Sequence, residues 1–373
     1  MTALEHITIL DLTRLLPGAA ATQMLAAFGA RVIKIEPPGL GDYARHGFGT
    51  KGVNPLFLET NRNKESVVLD LKAEEGKTIL RQLVERADIL VEGFRPGVMD
   101  RLDLGYASLS KINPRLIYVA LTGYGQSGEY AQMAGHDLNY LAMAGVLNEM
   151  GTREAPVMAG VQFADLAGGS NQVVIGALMA LEARHRTGAG QFVDVSMTHG
   201  VAGVLPVPYS MFKSTGRVPE RGNELLSGRY ACYNLYRTSD DRWITVGALE
   251  RKFWDALCRE LGCLELAADQ FAPEPRQGQV KSKVAAIFVT DTASSWFARL
   301  RDKDCCVAPV RTIEEVHQDP QFAEIGMGPK LSATPASHST EAPALGEHTL
   351  SVLRELGYSG ERIEHLRQAG VTG

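Results

Sequence analysis

An open α/β layer domain joined to a smaller α+β unit is the fold class this sequence predicts, on three observations. Short β-branched runs alternate with amphipathic segments through the first 125 residues, the pattern of βαβ units with right-handed crossovers and a parallel sheet. That pattern stops at 206–220, a stretch with three prolines and little amphipathic period that reads as a crossing linker. A period-2 hairpin signature, YACYNLYR-TSDDR-WITVG at 230–247, then opens a second unit.

In chain order, strands are expected at 7–12, 31–35, 66–69, 89–91 and 116–121, with helices at 19–28 and 74–85 between them. Residues 165–186 read as a loop leading into a long helix rich in small residues, and 191–196 (QFVDVS) as another strand. After the hairpin come helices at 252–261, 279–288 and 293–300, then a Pro- and Ser-rich second linker at 334–343. Two short helices, 347–357 and 361–369, are expected to return to the first domain.

The 373 residues suffice for one large domain or two, and 45% hydrophobic with 22% charged residues is ordinary for a globular chain. Collagen-like, disordered and disulfide-scaffold classes are excluded. Lys and Arg number 38 against 43 Asp and Glu, so no global basic field exists to hold a nucleic-acid backbone. The five cysteines (Cys232, Cys258, Cys263, Cys305, Cys306) have no C-x-x-C spacing and no histidine cluster nearby, so they read as reduced thiols rather than a metal site. No basic n-region precedes the first apolar run, and no apolar stretch approaches the length of a span, which predicts a cytoplasmic protein without membrane partners.

Several segments carry chemistry. Gly123-Tyr-Gly125-Gln-Ser-Gly128 satisfies G-x-G-x-x-G, yet it follows the fifth strand instead of the first and leads into EYAQMAG, not an apolar helix. It reads as a glycine-rich loop shaping an active site. Glu36, at the end of the second strand, is either a ribose-binding acid or a strand end before Pro37-Pro38. Arg45, Arg62, Lys64, Lys72, Arg95 and Arg101 lie near strand ends, where converging cations would suit a multiply phosphorylated ligand. In Gly135-His136-Asp137-Leu-Asn139-Tyr140, Asp137 can cap a helix whose positive end bears on His136, although a lone histidine is more often structural than catalytic. Asp165, in QFADLAGGS, is an N-cap or a working carboxylate; a histidine facing a carboxylate would make a two-base site. There is no H-E-x-x-H and no G-x-S-x-G.

At these residues the chain resembles the class III coenzyme A transferase (CaiB/BaiF) superfamily, and within it the α-methylacyl-CoA racemase branch. The likeness runs through FGARVIKIEPPG, NRNKESVVLDLK, VEGFRPGVMDRLDLGY, NPRLIYVALTGYGQSG, AGHDLNYLAMAGVL, FADLAGGS, YRTSDDRWITVGALERKFW, CVAPVRTIEEV and LGEHTLSVLRELGY. The resemblance implies a Rossmann-like large domain from 1–198 and 321–373, linkers at 199–226 and 306–320, and a small α+β domain at 227–305. It implies two chains interlocked as a homodimer, each site formed by the large domain of one and the small domain of the other. His136 and Asp165 carry over as the two proton-transfer bases, the Asp137 backbone N–H as an oxyanion donor, and Glu250 as the acid that orients the histidine. Contacts to coenzyme A carry over to Val68, Leu69, Asp70, Leu71, Gly93, Phe94, Arg95, Arg101 and Gly135, with Arg62 and Lys64 as phosphate contacts. Coenzyme A enters as part of the substrate, so no separate cofactor or metal is implied.

Two departures stand out. Racemases of this branch have Arg where this chain has Pro37 and a more basic residue where it has Glu65, so another cation must hold the nucleotide phosphates. The Gly-Gly-Ala of the family's small-domain entry is replaced by Ser227-Gly228-Arg229 and the Pro after Glu250 by Arg251, whereas the absence around Gly247 to Arg251 of the glycine-rich loop typical of formyl-CoA transferases agrees with the racemase branch. The implied activity is inversion of C2 in 2-methylacyl-CoA thioesters. The alternative is a CoA transferase in which Asp165 is the nucleophile.

Overall fold

The computed structural model describes residues 2–46, 52–322 and 328–373. The chain divides into two compact units, one formed by 1–147, 159–206 and 326–373 and the other by 148–158 and 207–325.

The first unit is built on a six-stranded parallel sheet: β1 (Thr8–Leu12), β2 (Arg31–Glu36), β3 (Lys64–Val68), β4 (Ile89–Glu92), β5 (Ile117–Thr122) and β6 (Phe192–Ser196), in the order β3-β2-β1-β4-β5-β6. The central strands are apolar without alternation, since helices cover both faces of a parallel sheet; Ile9, Leu10, Ile89, Leu90 and Val91 are fully buried. Ile9 lies between Val32 and Ile89, and Leu12 beside Glu92. The order reverses between β1 and β4, so a crevice opens beyond their carboxyl ends, where such sheets bind ligands. Two segments therefore flank it: Thr13 and Arg14 after β1 with the first turn of the helix Leu15–Ala27 that follows, and the Gly93-Phe94-Arg95 loop after β4.

Below the sheet, the helix Glu74–Val84 buries Ile79, Leu80, Leu83 and Val84 on its apolar stripe. The tail packs on the same core through Val352 and Leu353 of the helix Thr349–Glu355, and Ile363 and Leu366 of the helix Gly360–Gln368. It also covers the free edge of β3, where the Val68 N–H donates to Thr349 Oγ1 at 3.0 Å and the His348 N–H to Ser66 O at 2.9 Å.

The second unit has a three-stranded antiparallel sheet of β7 (Tyr233–Arg237), β8 (Trp243–Gly247) and β9 (Val307–Pro309). The hairpin read from the sequence is its first two strands, with Arg237 opposite Trp243. Its core gathers Tyr236, Trp254, Phe288 and Trp296, with the Trp254 and Trp296 indole N–H groups donating to Leu266 O and Phe288 O. All five cysteines are free thiols, four buried and Cys306 exposed.

Three segments differ from the sequence reading. The stretch 206–220, read as a linker, contains the helix Pro206–Thr215, none of whose residues is buried; its two prolines, Pro206 and Pro208, sit in the first turn, where no intrahelical N–H is needed. The stretch 306–320 is not a linker: Val307 to Ala308 extends the small sheet against Val246 and Thr245, and the helix Ile313–Gln318 follows with a Thr312/Glu315 capping box. A three-residue strand is too short to register as a period. Finally, 148–158 folds with the second unit although it lies within the sequence of the first.

Candidate active site

The turn after β1 rests on a set of buried charges. Asp11 accepts the Thr13 N–H and hydroxyl on Oδ1 at 2.9 and 2.6 Å, and the Thr22 hydroxyl and Lys64 Nζ on Oδ2 at 2.6 and 3.1 Å. Lys34 donates to Thr13 O at 3.0 Å and pairs with Asp42 at 2.8 Å, and Asp42 Oδ1 accepts the Leu15 N–H at 3.0 Å. These bonds hold Leu15 at φ +61°, a left-handed conformation that a branched residue avoids without such support. Burial opposes ionisation of Asp11, but Lys34 and Lys64 outweigh it and hold the carboxyl well below its usual range. Lys64 is pushed down to about 8, chiefly by burial, with Asp11 opposing.

Two sequence-derived binding residues are thereby reassigned. Lys64, read as a phosphate contact, has a fully buried side chain whose three donors go to Asp11, Ala19 O and Asn61; an ammonium has only three to give. Glu36, one of whose readings was a ribose-binding acid, accepts from Arg45 twice, from the Ser66 hydroxyl and from the Asp42 N–H, all within 2.9 Å. Those four bonds exhaust a carboxylate's lone-pair sites. Arg45 is spent in the same network, and Arg62 pairs on the surface with Glu341 at 2.8 Å.

Two cavities open at the carboxyl end of the sheet. The smaller, about 210 Å³, has Leu12, Ile35, Pro37, Leu69, Asp70, Leu71, Phe94, Val98 and Leu102 in its wall, with Arg14 and Lys72 as its cations. Leu69, Asp70, Leu71 and Phe94 thus line one cavity. Val68 is buried just behind in β3, and Arg95 and Arg101 are exposed beyond β4. The larger cavity, about 720 Å³, is walled by Thr13, Arg14 and the start of the helix Leu15–Ala27 together with Tyr43, Gly93, Gly135, His136, Tyr140, Asp165 and Met197.

His136 and Asp165, 29 positions apart, therefore face one space. His136 precedes the helix Asp137–Met143 and its N–H donates to Asn139 Oδ1 at 3.0 Å, which fixes the entry to that helix. Asp137 Oδ1 accepts the Asp165 N–H at 3.0 Å, so the two segments are tied directly. Asp165 lies in a π-helical stretch, Ala164–Ser170, that runs into the helix Asn171–Thr187; such turns gather at functional sites because they re-aim one side chain. The glycines of LAGGS permit the packing: a Cβ on Gly168 would stand 2.5 Å from Met197 O, and one on Gly200 2.1 Å from Gly168 O. The carboxyl of Asp165 is pushed up to about 6, first by burial and then by the neighbouring Asp137 charge, with His136 opposing.

The glycine-rich loop after β5 enters no helix. Gly123 and Gly135 instead enclose the ring of Tyr140, since a Cβ on either would fall within 2.7 Å of ring atoms. The Tyr140 hydroxyl donates to Gly135 O at 2.5 Å, and burial, then the charge of Asp165, pushes it up to about 12. Glu250 belongs to the second unit, where it is exposed and precedes the helix Arg251–Glu260. Among the described residues, no group of three or more His, Cys, Asp or Glu is placed to hold a metal ion, and no helix is long and apolar enough to cross a membrane.

Comparison with known proteins places this geometry. The sequence pattern of CoA-transferase family III matches residues 4–349, and the chain belongs to that family. It is 37% identical over 382 residues to the α-methylacyl-CoA racemase of Homo sapiens, covering 98% of this chain and 96% of that one. It is also 32% identical over 380 residues to succinyl-CoA--D-citramalate CoA-transferase of Chloroflexus aurantiacus, covering 95% and 94%. A solved CaiB/BaiF family protein from Brucella suis superposes with a TM-score of 0.81 at 29% identity, over 95% of this chain and 99% of that one. The family holds both racemases and CoA transferases, and this chain is an enzyme of that family.

Proposed function

We propose that this enzyme inverts C2 of 2-methylacyl-CoA thioesters by proton transfer through an enolate, with His136 and Asp165 as the two bases. The observation that carries the reading is that an imidazole and a carboxyl raised to about 6 share the wall of one cavity. Inversion needs one base on each side of a planar enolate: one removes the C2 proton, the electron pair moves to the thioester oxygen, and the conjugate acid opposite returns a proton. A carboxyl near 6 can be found in either state at neutral pH, which suits a group that is base in one direction and acid in the other. General-base help supplies roughly 10² to 10⁴ in rate. The first-turn N–H of Asp137, which has no intrahelical acceptor, offers the growing oxyanion a donor worth about 3 kcal/mol.

In this reading coenzyme A is part of the substrate and no other cofactor takes part. Val68, Leu69, Asp70, Leu71, Gly93, Phe94, Arg95 and Arg101 surround the nucleotide, and Gly135 faces the reacting end. Two chains interlock as a homodimer, and a partner chain supplies Glu250 to orient His136; sedimentation should find a dimer, and Glu250→Gln should lower kcat with little change in KM.

The test is incubation with a single enantiomer of a 2-methylacyl-CoA in deuterated water, without an acceptor acid. Deuterium at C2 together with inversion supports the proposal. The second reading, CoA transfer through an aspartyl anhydride and then an aspartyl-CoA thioester, is favoured by the same half-buried carboxylate and by relatives named as CoA-transferases. Absence of exchange, with CoA transfer once carboxylic acids are added, would overturn the racemase in its favour.

A further inference from the structure

The smaller cavity and the larger one that His136 and Asp165 line share one wall residue, Arg14. We propose that Arg14 grips the diphosphate of the bound coenzyme A thioester, a role that neither the sequence pattern nor the resemblance assigned to it. The proposal rests on the acyl-CoA reading above and names the cation that the chain uses where Pro37 offers none.

Four observations converge. The guanidinium carbon lies 5.0 Å from the centre of the Tyr43 ring and 5.2 Å from that of Phe94, so the group is held between two aromatic faces. One of its N–H groups donates to Tyr43 Oη at 3.1 Å, and no carboxylate lies within ion-pair distance among the described residues. By contrast, Lys34, Arg45, Arg62 and Lys64 are each committed to a carboxylate. Its backbone is also pre-set: Thr13 before it is bonded to Asp11 and Lys34, and Leu15 after it is held at φ +61° by Asp42. An arginine pinned by its neighbours on both sides, stacked and still carrying free donors, is built to take an anion in the planar, two-pronged manner that suits phosphate oxygens.

The place of Arg14 selects which anion. Coenzyme A joins its adenosine to its pantetheine arm through the diphosphate. With adenosine in the apolar cavity of about 210 Å³ and the thioester beside His136 and Asp165 in the cavity of about 720 Å³, the linking diphosphate passes the one residue that borders both. Lys72, which borders only the smaller cavity, stands on the nucleoside side of that junction.

Calorimetric titration of Arg14→Ala, Arg14→Lys and the unaltered enzyme with coenzyme A, dephospho-coenzyme A and pantetheine tests this. Arg14→Ala should weaken coenzyme A and dephospho-coenzyme A alike by about 10- to 100-fold and leave pantetheine unchanged. Arg14→Lys should recover only part of the loss, because an ammonium cannot make the paired contact. A loss confined to coenzyme A would move Arg14 to the 3′-phosphate and overturn the proposal, as would an equal loss on pantetheine or no loss at all. Should Arg14→Ala not fold, the Lys variant alone decides: unchanged affinity for dephospho-coenzyme A sinks the idea. If the unaltered enzyme binds no coenzyme A, the acyl-CoA reading itself fails, an outcome distinct from an unaffected variant.

Discussion

Two clusters of acidic side chains lie within a few residues of the same crevice, and the protein treats them in opposite ways. Beneath the turn after β1, Asp11, Asp42 and Glu36 each meet a cation, and Asp11 and Glu36 are held below their ordinary range in spite of burial. In the larger cavity Asp165 meets another carboxylate, Asp137, and no Lys or Arg among the described residues pairs with it, so burial and like charge together raise it to about 6 against the opposing influence of His136. Glu92, buried at the end of β4 with the Phe94 N–H as its one hydrogen-bond partner among the described residues, is pushed up to about 7 by burial and then by Asp100. Paired buried charges hold geometry, whereas an unpaired carboxyl keeps its proton close to neutral pH and can trade it.

The largest effect is expected at Asp165. Asp165→Asn should lower inversion at C2 by at least about 10³-fold in a chiral assay, since it removes one of the two bases, while deuterium exchange without inversion can persist from the enantiomer that His136 deprotonates. If the activity survives, the raised carboxyl is not the working group. The unaltered enzyme should lose kcat/KM as pH falls through about 6, the value of Asp165, in the direction that needs it ionised.

Next in size is the paired cluster. Lys64→Met removes a cation from fully buried Asp11 and leaves Lys34 at 4.0 Å as its remaining one, which should cost about 3–5 kcal/mol in denaturant unfolding. A change near zero would mean that the network is not what holds the turn.

Glu92 sharpens the contrast from the unpaired side. Its folded value lies above the ordinary 4.5, so the folded state binds the proton more tightly and stability falls as pH rises from about 4.5 to 7. Glu92→Gln keeps an acceptor for the Phe94 N–H and should raise stability by about 1–3 kcal/mol at pH 8, the gain vanishing below pH 4.5. Parallel unfolding curves at pH 8 and pH 4 check both sign and window.

An effect of similar size is expected at the glycine loop. Gly123→Ala places a methyl 2.5 Å from the Tyr140 ring, and the overpacking should cost about 1–3 kcal/mol. A thermal melt unchanged by the substitution would show that Tyr140 is free to move aside.

Much of this protein was legible in one dimension. Strand and helix periods in the first 125 residues, the hairpin at 230–247 and the misplaced G-x-G-x-x-G all report local physics: side-chain alternation, turn chemistry and position along the chain. His136 and Asp165 stood out because each sits in a short polar break within apolar sequence. The fate of the cations was not legible. Lys64 and Arg14 look equally available in sequence, but Lys64 begins β3 and points into the sheet's interior, where Asp11 claims it, while Arg14 sits on the turn that joins two cavities. Nor does sequence spacing tell that Gly168 and Gly200 pass within contact of each other and so let the Asp165 stretch reach the cavity. Local periodicity determines which elements form; which charged group ends beside which other depends on contacts between residues far apart in the chain. Tertiary packing alone decided which charges were neutralised as structure and which were left to do chemistry.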